Sequence, residues 1–181
     1  MTLDSTAATN DELFVTLGQG HGRIATFSLG WKPMYMNVLI ATDGSELANK
    51  GVKQGLALAE KLGAKVTFLS VVAPLAPEAI RAAMASGIPD PIGGYDQQID
   101  VEMKKRYAAL EQEAAQYGIT VDVLHEIDES PAEAIVRVAE MNACDLIVMA
   151  SHGRRGFRKA LLGSQTAEVL VHTNIPVLVI R

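Results

Sequence analysis

The 181-residue chain contains one cysteine, Cys144, so no intrachain disulfide can form and no CxxC pair is available for a metal or redox centre. Aromatic residues make up 5% of it, too few to furnish the stacking platforms that grip single-stranded nucleic acid. Positive charge is not in excess: 16 Lys and Arg face 21 Asp and Glu, a net charge of −5, which disfavours a surface built to hold duplex phosphates. No apolar run reaches the ~18 residues that would span a bilayer. The amino end, MTLDSTAATNDELF, lacks the positive n-region and apolar h-region of a signal peptide. The expectation is a soluble, reduced, cytoplasmic protein with neither nucleic acid nor membrane as partner. Hydrolase and kinase signatures are also missing: there is no GxSxG, HExxH, GxxxxGK[ST] or EF-hand loop. His21, His125, His152 and His172 show no metal-ligand spacing. No catalytic residue and no protein metal ligand is assigned, and a binding module is favoured over a hydrolase.

What the chain does have is aliphatic patterning over most of its length. Residues 1–35 stand apart: they are polar, carry GQGHG at 18–22 without a βαβ context, and end in GWKPMY. They are expected to form a flexible, dispensable extension or to reflect a mis-assigned start, with the compact domain covering residues 36–181. From Met36 onward, strand and helix signals alternate. Asn37–Thr42 is a short apolar run, read as a buried strand, and Ser45 to Leu62 follows at helical spacing with Gly63 as its C-cap. Val66–Val72 is a second strand. Residues 74–94, with Pro74, Pro77, Pro89 and Pro91, read as a long connection with one helical turn around Glu78–Met84. Ile99, Met103, Tyr107, Leu110, Ala114 and Tyr117 recur at helical spacing up to Gly118, and Ile119–Ile127 is a third strand. Ser130-Pro131-Ala132-Glu133 opens a helix with serine as N-cap, proline at the first position and glutamate at the third. Asp145–Ala150 is a fourth strand, Ser164–His172 a helix, and VLVI after Ile175-Pro176 a fifth strand.

Near-continuous apolar strands separated by helices imply an α/β domain with a parallel sheet covered on both faces. Right-handed crossovers make it doubly wound. Ligands of such sheets sit outside the carboxyl ends of the strands, where the winding reverses. Two stretches therefore carry the candidate chemistry: Ala41-Thr42-Asp43-Gly44-Ser45 and the polar loop after strand four. Asp43 is either a carboxylate that accepts hydrogen bonds from a ligand or a turn residue of a strand-to-helix connection. Gly163-Ser164 opens the last helix, whose free N–H groups and dipole form an anion site, with Ser164 capping the helix. Arg154, Arg155, Arg158 and Lys159 add positive charge or line a solvated loop. His152 is either a ligand contact or a structural residue, and Leu161-Leu162 pins the loop to the core.

Taken together, IATDGS, SPAEAIVRVAEMNACDLIVMASHG, the Gly-Ser start of the last helix and the terminal IPVLVI resemble the universal stress protein family over about residues 36–181. The resemblance implies a single domain of Rossmann-like, adenine-nucleotide-binding type with a five-stranded parallel sheet. It also implies a homodimer, commonly paired through the last strand, with protein partners unspecified. Members of one subgroup bind ATP, and their motif is a glycine, two residues, a glycine, nine residues, then Gly-Ser or Gly-Thr. In this chain the second glycine is Gly153, and Arg154 to Leu162 separate it from Gly163-Ser164, while the first falls on Ala150. The same resemblance places Ala41, Thr42 and Asp43 along the adenine and ribose, and Val71 against adenine through its backbone. Ser151, His152 and Gly153 then follow ribose and phosphates, and Gly163, Ser164 and Gln165 close on the phosphates.

Ala150 is the departure. If the position needs a positive φ, alanine costs roughly 1 kcal/mol or more; if it needs only a small side chain, alanine serves. The function implied is ATP binding, with a divalent metal such as Mg or Mn on the phosphates, in a nucleotide-dependent switch or sensor with at most slow hydrolysis. The alternative is a dimeric interaction or chaperone-like stress protein whose nucleotide site is vestigial.

Overall fold

The structure, a computed structural model, describes residues 12–15, 25–28, 34–151 and 163–181. The chain divides into two compact units, Met1–Met34 and Tyr35–Arg181. In the first, strands β1 (Glu12–Val15) and β2 (Ala25–Ser28) pair antiparallel, Leu13 opposite Phe27. The sequence reading placed no strand there, and its GQGHG loop at 18–22 lies outside the described residues.

The second unit alternates as the sequence pattern implies: β3 (Asn37–Ala41), α1 (Glu46–Leu62), β4 (Lys65–Val72), α2 (Pro77–Ala85), α3 (Pro91–Ala115), β5 (Val121–Ile127), α4 (Pro131–Met141), β6 (Leu146–Ala150), α5 (Ser164–His172) and β7 (Val177–Ile180). All the pairings are parallel and the strand order is β5-β4-β3-β6-β7. Side chains alternate across the sheet because successive residues of a strand point to opposite faces. Val38, Ile40, Val66, Phe68, Leu146 and Val148 pack with Val52, Leu56 and Ala59 of α1 and with Leu110 and Ala114 of α3. Leu39, Leu69, Ile147 and Met149 pack on the other face with Ala132, Ile135, Val136 and Ala139 of α4 and Val169 of α5. This is the doubly wound arrangement, two helical layers on one sheet.

The helix ends show which local signals hold. Ser45 accepts a hydrogen bond from the Ala48 N–H and caps α1, and Gly63 closes it at φ +64°, its N–H donating to the Ala59 and Glu60 carbonyls. Ser130 departs from expectation, since its side chain makes no capping bond to α4. The Asp128 carboxylate takes over the turn by accepting the Ser130 N–H at 2.8 Å, and Arg137 bridges Asp128 and Glu126 at 3.0 and 3.3 Å. That N–H first, and then the guanidinium, hold the Asp128 carboxyl below its usual range. The 74–94 connection is also more helical than expected. Pro77 and Pro91 stand in the first turns of α2 and α3, where a missing N–H costs nothing, and Asp90 accepts from the Gly93 N–H at 2.9 Å. Strand β5 starts at Val121 because the Ile119 N–H still bonds the Ala114 carbonyl at the end of α3.

One helix approach sets the depth of the layer beneath the sheet's centre. A Cβ added to Gly55 in α1 would lie 2.6 Å from Ile40 Cδ1 and 3.4 Å from Val148 Cγ1, so α1 reaches β3 and β6 only because position 55 lacks a side chain. Gly55→Val is expected to lower unfolding free energy by about 1–3 kcal/mol, the usual cost of overpacking. Urea denaturation followed by circular dichroism measures it, and an unchanged midpoint would show that the contact yields freely.

Candidate functional site

The winding reverses at β3: the chain leaves it for β4 on one side, and β6 returns on the other. A crevice must open there, because the connections after β3 and β6 depart toward opposite faces. It is a cleft of about 130 Å³, some ten times the ~10–15 Å³ that a single water requires. Ala41, Thr42, Asp43, Ala48, Leu69, Val71, Pro131, Ile135, Met149, Ala150, Gln165 and Thr166 line it. Three of these are alanines at the ends of β3 and β6 and in the first turn of α1, and their small side chains leave the crevice unfilled.

Its walls are held by short, local bonds. The Thr42 N–H donates to the Leu69 carbonyl at 2.9 Å, one step beyond the β3–β4 ladder, and Ser70 Oγ donates to the Thr42 carbonyl at 2.9 Å. The turn into α1 supports itself: the Gly44 N–H donates to Thr42 Oγ1 at 3.2 Å and the Ser45 N–H to Asp43 Oδ1 at 2.9 Å. Asp43 is thus a turn residue through one carboxylate oxygen, and it stands at the cleft. Gly44 sits at φ +75°, a left-handed conformation that side-chain-bearing residues avoid.

On the opposite wall, Thr166 is buried in the first turn of α5 and donates its hydroxyl to the Ala150 carbonyl at 3.0 Å. The Gly163 N–H donates to the Ser151 carbonyl at 2.8 Å, and the Ser151 N–H to the Ile180 carbonyl at 2.7 Å. These bonds tie the start of α5 to the end of β6 across residues 152–162. The helix cap is Gly163 itself, with no side-chain capping bond, so Ser164 is the first helical residue and not the cap that was expected of it. The first N–H groups of α5 point away from the helix body at the cleft's edge, where an anion is favoured.

Of the eleven residues named from sequence, Ala41, Thr42, Asp43, Val71, Ala150 and Gln165 line one cleft. Ser151 and Gly163 brace it from behind, and Ser164 lies exposed beside it. His152 and Gly153 lie outside the described residues, as do Arg154, Arg155, Arg158, Lys159 and Leu161-Leu162. Ala150 is the last residue of β6, paired with Ile180, and it is not among the residues with positive φ. Alanine carries no backbone penalty there.

Sequence reasoning missed Ala48, Leu69, Pro131, Ile135, Met149 and Thr166. Leu69 and Met149 were legible only as core, and Pro131 and Ile135 only as the start of an amphipathic helix. The signal that could have found them is topological, since Met149 stands at the carboxyl end of β6, Ala48, Pro131 and Thr166 in first turns of helices, and Leu69 and Ile135 close to such places. Cys144 lies at the other end of β6, and burial, then Asp145, pushes its thiol up to about 11, so it is no thiolate nucleophile. His125 is held by the Tyr107 hydroxyl on one ring nitrogen and Asp100 on the other. Among the described residues no three His, Cys, Asp or Glu side chains are grouped to hold a metal ion, and no helix is long and apolar enough to cross a membrane.

Comparison with known proteins agrees with this architecture. Residues 34–181 match the family model described as the universal stress protein family. Universal stress protein MJ0577 of Methanocaldococcus jannaschii is 28% identical over 157 residues, 82% of this chain and 96% of its own. Universal stress protein MJ0531 of the same organism is 27% identical over 151 residues, 82% and 83% of the two chains. The solved structure of MJ0577 superposes with a TM-score of 0.66 at 27% identity, covering 81% of this chain and 96% of that one. Two more distant structures share the fold. A universal stress protein in complex with cAMP has a TM-score of 0.55 at 22% identity, over 82% of this chain and 98% of its own. The Archaeoglobus fulgidus protein in complex with dAMP also has a TM-score of 0.55, at 18% identity, over 82% and 99%. The family model spans most of the chain, and the chain belongs to the universal stress protein family.

Proposed function

We propose that this protein binds ATP in the cleft between the ends of β3 and β6 and acts as a cytoplasmic, nucleotide-dependent switch or sensor in the stress response. The observation that carries the proposal is the composition of that cleft. Ala41, Ala48, Leu69, Val71, Ile135 and Met149 offer apolar wall to a purine, while Asp43 supplies an acceptor for hydroxyl or amino donors. The exposed N–H groups of α5 suit phosphates. Two proteins of the same fold are described with adenine nucleotides bound, cAMP in one and dAMP in the other.

A divalent cation such as magnesium or manganese fits this donor set only as a partner of the phosphates, because the described residues group no three ligands for it. Magnesium commonly keeps several waters and takes one or two protein oxygens, so the absence of a protein cage is no obstacle. Bound this way, the ion would neutralise phosphate charge. Asp43 is the only carboxylate lining the cleft among the described residues, and its Oδ1 already accepts the Ser45 N–H. That leaves a poor general base, in keeping with slow hydrolysis at most.

Homodimerisation through the last strand completes the proposal. Among the described residues β7 ends the sheet and pairs only with β6, and Val177, Leu178 and Val179 are partly exposed. An apolar edge of this kind is a template for a second strand.

Three outcomes follow. Mass spectrometry of the purified, denatured protein should release an adenine nucleotide, or ATP titration calorimetry should give a binding isotherm. The absence of both a released nucleotide and binding heat at millimolar ATP would overturn the proposal and leave a dimeric interaction or chaperone-like protein with a vestigial site. Ala150→Gly should leave ATP affinity within about twofold and cost roughly 0.5–1 kcal/mol of stability, since an extended position gains nothing from glycine. A large gain in affinity would mean that alanine impairs the site. Sedimentation equilibrium should return twice the 19.3 kDa chain mass, and a monomer at micromolar concentration would remove the dimer.

A further inference from the structure

Helix α3 packs chiefly on β5, at the far edge of the sheet, yet one of its side chains reaches back to the cleft's turn. A Cβ built on Gly44 would lie 3.2 Å from Arg106 Cζ, 3.4 Å from Nη1 and 3.5 Å from Nε. A nitrogen bonded about 1.33 Å from Cζ stands about 3.5 Å off when the approach runs along the normal to the guanidinium plane. The three distances match that case, so the flat face of the guanidinium is turned toward the space that a side chain at position 44 would fill. The side chain is 20% exposed, and Nη2 is braced by Glu102 Oε1 at 3.3 Å along the same helix. Gly44 is thus constrained twice, by its left-handed φ and by a cation lying where a side chain would project.

Gly44 follows directly on Asp43, the carboxylate of the cleft wall, and the turn that presents Asp43 runs through both. A planar group with fixed donors restricts a backbone turn more than a mobile ammonium would, because it covers area and its geometry is preset. We propose that Arg106 is a positioning residue for the nucleotide cleft: its guanidinium, laid on Gly44, holds the turn that aims Asp43 at the ligand. The assignment rests on the nucleotide-binding function proposed above. It gives α3 a part in the site although no residue of α3 lines the cleft.

The test is ATP titration calorimetry on the full chain and on Arg106→Gln, Arg106→Lys, Asp43→Asn and the Arg106→Gln/Asp43→Asn double variant, with Lys105→Gln as a control for general charge. Arg106→Gln is expected to weaken ATP about tenfold. Arg106→Lys should weaken it nearly as much, because an ammonium cannot lie flat on Gly44. The double variant should bind about as weakly as Asp43→Asn alone, and Lys105→Gln should bind as wild type does. Wild-type affinity in Arg106→Gln or Arg106→Lys, additive losses in the double variant, or an equal loss in Lys105→Gln would each overturn the assignment. Thermal midpoints identify any variant that loses affinity by unfolding, and the arginine-to-lysine change keeps the buried stem if glutamine does not fold. Failure of the wild type itself to bind ATP overturns the nucleotide proposal and this inference with it, whereas wild-type binding with unaffected Arg106 variants overturns this inference alone.

Discussion

The double pairing of β3 governs the rest of the molecule. It bonds in parallel to β4 through residues Asn37 to Ala41 and to β6 through Val38 to Ile40, so it is the middle strand, with both faces covered. From β3 the chain winds out through β4 to β5 on one side and resumes at β6 and β7 on the other. With right-handed crossovers, that reversal puts the helices in two layers and opens the crevice at the carboxyl ends. The buried residues of β3 are thus as much a condition of the cleft as its lining. Val38, Leu39 and Ile40 are fully buried, and each contributes roughly 1.5–3 kcal/mol of transfer free energy toward keeping the strand where the reversal occurs.

Around that reversal the two walls are built differently. The β3–α1 wall is a closed local circuit: Thr42, Asp43 and Ser45 satisfy the N–H groups of Gly44, Ser45 and Ala48 within seven residues of chain. The β6–α5 wall is bridged over a longer span, from Ser151 to Gly163 and from Thr166 back to Ala150. Loop-closure cost grows only slowly with length, so a few bonds at the base suffice to hold such a loop's ends together. The start of α5 is tied to the end of β6 by these bonds, which set the place of its N–H groups at the cleft.

How legible this was in the sequence depended on the range of the interaction. The strands, the order of helices and the glycine stop at Gly63 were readable because apolar period and cap chemistry are local. So was the pair of stretches that meet at the reversal, since topology makes the carboxyl ends of the first and fourth strands of the domain neighbours. The helical content of residues 74–94 was hidden because Pro77 and Pro91 look like breakers but stand in first turns, where they break nothing. Ser130 misled for a different reason. A serine before a proline is a strong capping signal, yet Asp128 competes for the same turn and wins with a charged acceptor held in place by Arg137. Thr166 and Ile135 were out of reach because their role is set by contacts between elements distant in the chain.

Ala150 shows how a motif departure changes meaning once a backbone is known. Glycine at a motif position serves either a conformation that other residues avoid or a space that other residues would fill. Here the first reason does not apply, because position 150 is extended and hydrogen-bonded into the ladder opposite Ile180. That leaves the second, since Ala150 is half-buried and lines the cleft. Its carbonyl is already committed to Thr166. Glycine's conformational reason is thus absent at position 150, and the methyl group of Ala150 belongs to the cleft wall.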